Sequence, residues 1–347
     1  MRLRHLAAAT LTAVSLSAAS VCAPATAQAA PAASDHHRDK PGHYSFAVIG
    51  DAPYGDQQIA AFPRWIDQIN ASDVQLTFHV GDIKNGSTRC DDSYFAMIKG
   101  QFDRVRTPLI YTPGDNEWTD CHRTNNGSYE PLERLDAIRS TFFARPGTTL
   151  GQHPTRVRSQ AYRGVPENVE LRRQRVTFAT IHVVGSNDDL KPWTGIGKTE
   201  PTQEQFADQA RRMGAAIAQV KRAYADAARR HDRAVVILLQ ADMFDPTWNP
   251  TWNDMSAFRP LVQTLIDESN RFRGESYLFD GDSHVFNVDH PLAEGSAWLG
   301  FYGVRGASSL TRITVDGDKQ NTDWLKVTVN RPGAGGVLSW ERIPYTQ

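Results

Sequence analysis

The chain has 347 residues, of which 40% are hydrophobic, and its formal net charge is −1. This length suits one large α/β domain, and the nearly balanced charge gives no indication of nucleic-acid binding. Beyond the N-terminal segment the sequence has no long apolar run. We therefore expect a soluble mature protein without a membrane-spanning segment.

The N-terminal segment is typical of a secretory signal peptide. Arg2 and Arg4 precede an apolar run that reaches Val21, and small residues follow at 25–29. The length and the Ala, Ser and Thr content of the run argue against a membrane helix. A lipoprotein is disfavoured because Val21 stands before Cys22, where a small residue is expected. We predict a signal peptide over 1–29, a disordered lead over 30–42, and secretion to the extracellular space or the cell envelope.

The rest of the chain alternates between strand-like and helix-like segments. Apolar stretches predict strands, and apolar residues that recur every three or four positions predict helices. The predicted strands are 44–49, 74–80, 109–112, 176–184, 234–239 and 276–279, with paired antiparallel strands over 298–314 and 324–343. The predicted helices are 57–70, 94–102, 132–143 and 203–230. This order favours a two-sheet α/β sandwich in one domain over 43–347.

Two cysteines, Cys90 and Cys121, remain after the predicted cleavage. An even pair in an exported protein is most simply a disulfide, because export exposes thiols to oxidation. Closing a loop of this length would contribute roughly 3–4 kcal/mol in the chain-entropy model. We predict this disulfide in preference to a thiol metal ligand or nucleophile.

Five strand-like segments are followed by acidic residues. Strand ends gather at one edge of an α/β sheet, so these residues are expected to form one site. Carboxylates converge stably only around a cation or a cationic substrate. A single Asp after a strand often caps the next helix instead, but the set as a whole favours a cation site. The five segments are Gly50-Asp51, Gly81-Asp82, Gly114-Asp115-Asn116-Glu117, Gln240-Ala241-Asp242 and Gly281-Asp282-Ser283-His284.

In this order the segments resemble the calcineurin-like metallophosphoesterases. That family has the pattern D-x-H, G-D, G-N-H-[ED], a His after a strand, and G-H-x-H. The resemblance covers about residues 45–325, and Asp51, Asp82 and His284 match the family's first Asp, bridging Asp and last His. It implies a four-layer α-β-β-α sandwich with a dinuclear metal centre at the sheet edges.

Several positions depart from the family pattern. Pro53 replaces the first His, Asn116 replaces the His of the third motif, and Gln240 replaces the fourth-motif His. Asp115 and Asp282 replace an Asn and a His. The remaining donors are mostly oxygens, which favour Mn, Mg or Ca over Zn or Fe.

The resemblance implies sites for one or two divalent metal ions. The first ion would keep Asp51, Asp82 and His284, and the second would share Asp82 as the bridging ligand. The implied metal ligands together are Asp51, Asp82, Asp115, Gln240, Asp282 and His284.

Three residues are expected to act on the substrate. Asn116 cannot donate a proton as an imidazolium does, and lost general-acid help costs typically ~10²–10⁴ in rate. We therefore expect a preference for good leaving groups, or a substitute acid such as His122 or His79. Lys84 follows the bridging Asp closely and is expected to face the substrate, with a solvated lysine as the alternative.

The sequence thus predicts a secreted phosphoesterase that hydrolyses a small phosphorylated substrate with metal-activated water. One alternative is a non-catalytic exported binding protein on the same scaffold, and another is a protein with a single structural cation such as calcium. Trp248 and Trp252 follow the fourth motif and either wall a substrate pocket or pack within their loop. The oligomeric state stays open.

Overall fold

A computed structural model of the protein describes residues 44–346. The predicted signal peptide and the predicted disordered lead lie outside these residues. Among residues 44–346 no helix combines the length and the apolar character needed to cross a bilayer.

Strands and helices alternate through most of the described chain. The strands are β1 (Tyr44–Ile49), β2 (Thr77–His79), β3 (Leu109–Tyr111), β4 (Arg158–Gln160), β5 (Val165–Arg173), β6 (Val176–Thr180), β7 (Ala234–Leu238), β8 (Glu275–Asp280), β9 (Asn287–Asp289), β10 (Thr311–Thr314), β11 (Asp323–Val329) and β12 (Leu338–Pro344). The helices are α1 (Gly55–Ala71), α2 (Asp92–Phe102), α3 (Pro131–Phe142), α4 (Gly185–Asp189), α5 (Gln203–Arg229), α6 (Trp252–Met255), α7 (Arg259–Arg271) and α8 (Ala297–Tyr302).

The strands form two mixed sheets. The five-stranded sheet has the order β12-β11-β1-β2-β3, in which β1, β2 and β3 are parallel. The seven-stranded sheet has the order β4-β5-β6-β7-β8-β10-β9, in which β6, β7, β8 and β10 are parallel. Parallel neighbours end at the same edge of a sheet, so the loops that follow these strands are brought together.

The two sheets pack face to face because their strands alternate between two apolar surfaces. In β1, Phe46 and Val48 face the second sheet, whereas Ala47 and Ile49 face the helices. The ring of Phe46 lies 5.1 Å from that of Phe178 in the other sheet, edge to face. A strand buried on both faces reads as one continuous apolar run, which is why the sequence predicted β1 at the observed bounds.

Helices cover the outer face of each sheet. α1, α2 and α3 pack on the five-stranded sheet, and α5 and α7 pack on the seven-stranded sheet. α5 begins with a capping box between Thr202 and Gln205 and buries one stripe that includes Met213 and Val220. The arrangement is the predicted four-layer α-β-β-α sandwich, which is therefore confirmed.

The sequence-based prediction differs from the structure in several elements, and the largest differences concern α8, β5 and α7. The segment 298–314 was predicted as strand, but Ala297–Tyr302 is helix α8 and only β10 is extended. Ser296 caps α8, and its aromatic residues lie on one helical face that packs into the core. β5 and α7 were not predicted. The arginines of β5 made a strand between β4 and β6 hard to recognise, and α7 follows a loop rich in Pro, Asn and Trp.

The predicted disulfide between Cys90 and Cys121 is present, with a Cα–Cα distance of 5.8 Å. Both cysteines are buried among the side chains that lie between α1, α2, α3 and the five-stranded sheet. Their sulfur atoms lie 3.8 and 3.9 Å from the carbonyl oxygen of Asn116. The bridge thus joins the loop after β2 to the loop after β3, directly behind the third motif.

Candidate metal centre

The five motif segments lie at the carboxyl ends of parallel strands, as predicted. Asp51 follows β1, Asp82 follows β2 and Asp115 follows β3 in one sheet. Gln240 and Asp282 follow β7 and β8 in the other sheet. Gly281 N donates to Gln240 O at 3.1 Å within the seven-stranded sheet, and Asp282 N donates to Oδ1 of Asp51 at 3.0 Å from one sheet to the other. The site therefore lies where the two sheets meet at one edge.

Two groups of donor atoms share the carboxylate of Asp82. The first group is Asp51, Asp82 and His284, and the second is Asp82, Asp115 and Asp282. Within each group the donor atoms lie within 4.8 Å of one another. The carboxylates of Asp51, Asp82 and Asp115 are buried, whereas the His284 side chain is 33% exposed. The imidazole is thus on the side of the centre that meets solvent.

The backbone at these donors is unusual. Asp51, Asp82, Asp282 and His284 all have positive φ, between 48° and 70°. Non-glycine residues seldom adopt this left-handed region, and such residues concentrate at functional sites. Asp51 and Asp82 do not cap helices either: the residue before α1 is Tyr54, and the residue before α2 is Asp91. Helix capping therefore does not account for these two carboxylates.

Two glycines allow the loops to approach the carboxylates closely. A Cβ on Gly114 would lie 2.1 Å from Oδ1 of Asp82, and a Cβ on Gly281 would lie 2.2 Å from Oδ2 of Asp51. Real Cβ atoms do not come so close to other atoms, so any larger residue at either position would displace a donor. Gly114 and Gly281 are thus explained by close packing against the carboxylates of Asp82 and Asp51.

The carboxylates lie close enough to repel one another. Burial, together with the charges of Asp115 and other neighbouring carboxylates, raises the pKa of Asp82 well above its usual value. Burial and the same kind of repulsion raise the pKa of Asp282 well above its usual value. Burial would lower the pKa of His284, but the hydrogen bond to Asp51 and the charges of Asp51, Asp318 and Asp115 together outweigh that effect and raise the pKa. A cation between these groups would remove the repulsion.

Tyr54 is a fourth donor that sequence reasoning missed. Its phenol oxygen lies 3.1 Å from Oδ2 of Asp82, 3.4 Å from Nε2 of His284 and 3.5 Å from Oδ1 of Asp51. Pro53 occupies the position of the family's first His, and the next residue along the chain supplies an oxygen instead. The spacing Asp51-x-x-Tyr54 was the available signal, but it matches no position of the family pattern.

The two amides of the centre donate to carboxylates. Asn116 donates from Nδ2 to Oδ2 of Asp82 at 2.9 Å and to the Tyr54 oxygen at 3.0 Å. Gln240 donates from Nε2 to Asp82 and Asp115 at 3.2 and 3.3 Å. The Gln240 oxygen, the atom that would bind a metal, accepts from Gly185 N at 2.7 Å instead. In this arrangement the Gln240 amide orients the carboxylates of Asp82 and Asp115 by donating hydrogen bonds to them.

Lys84 and His122 are both tied to the protein interior. The Lys84 ammonium donates to the carbonyl oxygens of Asn85 and Asn116 and to Oδ1 of Asn126, at 2.6–2.9 Å. Burial lowers the pKa of Lys84 to about 8. His122 accepts from Gly195 N at 3.1 Å, and burial with the Arg123 charge lowers the pKa of His122 to about 4. These contacts give no support to a substrate-facing Lys84 or to an imidazolium at His122.

His79 and Glu117 hydrogen-bond to the backbone of the loops that form the candidate metal centre. His79 contacts the Ala52 oxygen through Nε2 at 2.9 Å and accepts from Gly81 N through Nδ1 at 3.2 Å. Burial lowers the pKa of His79 to about 4, so the ring is neutral at physiological pH. Glu117 Oε1 accepts from the backbone of Asp82 and Gly114 and from the hydroxyl of Tyr111. Both residues therefore position Asp82.

The short turn α4 is the second feature that the sequence did not reveal. Ser186, Asn187 and Asp188 have φ between 53° and 56°, so the turn is left-handed. The Ser186 hydroxyl donates to Oδ2 of Asp115 at 2.8 Å. Asp188 forms a fully buried ion pair with Arg212 of α5, 2.5 Å long, which fixes the turn. α4 thus brings a half-buried hydroxyl to the second donor group.

The chemistry of the donor set fits one or two divalent cations. The first group offers two carboxylates, an imidazole and a phenol oxygen, and the second offers three carboxylates. Four carboxylates within one cluster, of which Asp51, Asp82 and Asp115 are buried and Asp282 is half-buried, need positive charge nearby to ionise together. Oxygen-rich sets of this kind suit hard cations, as the sequence predicted.

No protein-family model matches the chain, and a search of curated proteins finds no match. Among solved structures, a dimetal phosphatase from Danio rerio aligns with a TM-score of 0.51 and 11% identity, over 87% of this chain and 99% of that chain. A purple acid phosphatase from yellow lupin (Lupinus luteus) seeds aligns with a TM-score of 0.45 and 11% identity, over 87% and 52%. A 5′-nucleotidase precursor from Thermus thermophilus aligns with a TM-score of 0.40 and 9% identity, over 88% and 55%.

The likeness to the dimetal phosphatase spans nearly all of that protein and shows a shared fold. Two mixed sheets flanked by helices, with the motif loops gathered at one edge, are what the two-sheet topology of this chain provides. The chain therefore has a metallophosphoesterase-type fold.

Proposed function

We propose that the protein is an exported, metal-dependent phosphoesterase that hydrolyses a small phosphate ester. One observation carries the proposal: two donor groups share the Asp82 carboxylate, as expected for a pair of cations bridged by one ligand. Cations bound there would neutralise the phosphate oxygens and activate a water molecule. The signal-peptide pattern and the disulfide support export.

The residues of the chain divide the remaining work. Asp51, Asp82 and His284 hold one position of the centre, and Asp115 with Asp282 holds the other. Asn116 and Ser186 bring uncharged donors to these carboxylates. The imidazoles of His79 and His122 are neutral at physiological pH, so neither can act as an imidazolium that protonates the leaving group. We therefore expect the enzyme to prefer esters with good leaving groups.

A non-catalytic binding protein on the same scaffold is the second candidate. The observation in its favour is the environment of Asp82 Oδ2, which three neutral donors already approach, from Tyr54, Asn116 and Gln240. Hydrogen bonds of this kind partly satisfy a buried carboxylate without a metal. The imidazole of His284, 3.3 Å from Asp51, can supply only one positive charge to the four carboxylates of the cluster, so we place this candidate second.

The test combines metal analysis with turnover. The mature protein, its Asp82→Asn and His284→Ala variants and an exposed control, Asp67→Asn, are loaded with Mn, Mg, Ca or Zn and assayed on aryl phosphates. We expect one or two equivalents of metal and turnover in the wild type and the control, with both lost or strongly reduced in the site variants. Turnover that survives both site substitutions would refute the assigned centre. Metal binding without turnover would favour the second candidate.

A further inference from the structure

One loop leaves the metal centre and returns to it. At its start, Asp242 N lies 3.3 Å from Oδ2 of Asp282, just after Gln240 reaches Asp82 and Asp115. At its end, Asn187 of turn α4 donates to Asn253 O and Ser256 Oγ at 3.2 Å and accepts from Ala257 N at 2.9 Å. We call residues 245–253 the aromatic loop. Both of its ends are fixed to residues that adjoin the donor groups.

The aromatic loop presents two tryptophans to solvent. Trp248 is 49% exposed and Trp252 is 44% exposed, although indoles of this size are usually buried. The loop is nevertheless held in shape: the Trp252 ring lies 6.1 Å from that of Phe301, and Thr247 N donates to Oδ1 of Asp245 at 2.7 Å. An ion pair between Lys191 and Asp254 adds a further tie. Exposed indoles in a loop whose two ends adjoin a candidate active site indicate a binding surface.

The charge of the loop restricts what it binds. Residues 244–256 contain no Lys or Arg, and they include two acidic residues, Asp245 in the loop and Asp254 just after it. The loop itself therefore offers no cation to a second phosphate group, and the neighbouring Lys191 is already paired with Asp254. The polar residues between the tryptophans are Thr and Asn, which are uncharged. Stacking on the indole faces is the interaction that this surface offers.

We infer that the aromatic loop binds a flat aromatic leaving group, so that the substrates are phosphate monoesters of aryl alcohols or nucleosides. This inference rests on the proposed function, because it places the phosphate of the same ester at the metal centre. Stacking on Trp248 and Trp252 adds affinity for the leaving group and discriminates against small alkyl phosphates. It does not assist the bond cleavage itself.

The experiment uses probes that cannot be hydrolysed. Calorimetry measures binding of phenylphosphonate and methylphosphonate to the metal-loaded wild type, to a Trp248→Ala/Trp252→Ala double variant and to Tyr162→Ala. Tyr162 is 70% exposed and lies between β4 and β5, so its variant controls for loss of an exposed aromatic ring. We expect the wild type and the control to bind phenylphosphonate about tenfold more tightly than methylphosphonate. The double variant should lose this preference while binding methylphosphonate unchanged.

Equal affinity for the two probes in the wild type, no binding of either, or a preference that survives the double substitution would overturn the inference. Binding of phosphatidylglycerol vesicles that depends on the two tryptophans would overturn it too, by assigning the loop to a membrane surface. Assays of phenyl phosphate, adenosine 5′-monophosphate and glycerol phosphate complete the comparison. Hydrolysis of all three with equal kcat/KM would refute aromatic selection but leave the phosphoesterase proposal intact. Aromatic-selective binding without hydrolysis would refute the phosphoesterase proposal alone.

Discussion

The phenol oxygen of Tyr54 lies 3.4 Å from Nε2 of His284, although the two residues are 230 positions apart in the chain. The same oxygen lies 3.1 and 3.5 Å from carboxylate oxygens of Asp82 and Asp51. Donors that share one cation through bonds of about 2.0–2.3 Å are separated by distances of this size. Tyr54 thus has the position of a fourth ligand, in the place left without an imidazole by Pro53.

Replacing Tyr54 with Phe should therefore weaken metal binding at the first donor group. We expect affinity for Mn²⁺ to fall by at least about tenfold, as for other residues that support a metal site. Calorimetric titration and metal analysis measure the loss, and a tyrosinate difference spectrum on metal addition reports ligation directly. Tyr94→Phe is the matched control, because that hydroxyl donates to the Ile83 carbonyl at 2.9 Å and not to the donor groups. Unchanged affinity in Tyr54→Phe would show that the phenol is not a ligand.

The stability gained from metal should increase with pH. Burial and repulsion raise the pKa values of Asp82, Asp115 and Asp282, so the folded metal-free protein holds protons that the unfolded chain releases. Such groups stabilise the fold below the unfolded pKa of about 4, and this stability is lost as the pH rises. Asp120, whose pKa burial raises to about 8, belongs to neither donor group, so its contribution is the same with and without metal.

Bound metal would take the place of the protons on Asp82, Asp115 and Asp282. The metal-loaded protein should therefore keep its stability as the pH rises. The buried histidines, His79 and His182, act in the opposite direction. Burial lowers the pKa of each to about 4, so they cost stability as the pH falls below about 6.5. Their contribution is common to both forms and cancels in the difference. We therefore expect the Tm difference between metal-loaded and chelator-treated protein to grow from pH 5 to pH 8. A difference that is constant or shrinks would contradict the proposed coupling.

Which residues of the site can be predicted from the sequence depends on how far apart in the chain the interacting residues lie. Asp51, Asp82 and Asp282 could be placed together because each directly follows a strand whose apolar run is readable from its own residues. Tyr54 and Ser186 could not, because their roles depend on a left-handed turn and on contacts between loops far apart in sequence. The orientation of the Gln240 amide was equally hidden, since it is fixed by the backbone of Gly185.

A methyl group at Gly281 should disrupt the first donor group without unfolding the protein. Its Cβ would lie 2.2 Å from Oδ2 of Asp51, so the carboxylate must move away from its partners. We expect Gly281→Ala to lose most of its metal affinity while its circular dichroism is retained. Gly300→Ala is the control, because apart from its chain neighbours and its own helix backbone no atom would lie within 4 Å of that Cβ, and the residue is inside α8. That variant should gain about 0.5–1 kcal/mol in unfolding free energy.

Lys84 should prove to be structural. Replacing it with Met removes a buried ammonium and leaves the oxygens of Asn85, Asn116 and Asn126 without their donor. We expect the unfolding free energy to fall by about 2–4 kcal/mol, because unsatisfied buried groups cost about 1–3 kcal/mol each and relax in part. KM for an aryl phosphate should change little at a temperature where the variant is folded. A large rise in KM with unchanged stability would instead place the ammonium at the substrate.

Breaking the disulfide should destabilise the fold and, through it, the third motif. The bridge closes a loop with a sequence separation of 31, for which the chain-entropy model gives about 3–4 kcal/mol. We expect the Cys90→Ala/Cys121→Ala variant to lose about this much in guanidinium unfolding at fixed metal concentration, and the wild type to match it once a reductant is added. Both sulfurs contact the Asn116 carbonyl, so the loop that carries Asp115 loses its support as well. Metal affinity measured under native conditions should therefore fall in the variant. If the variant is less stable but binds metal with unchanged affinity, the bridge contributes to folding stability alone.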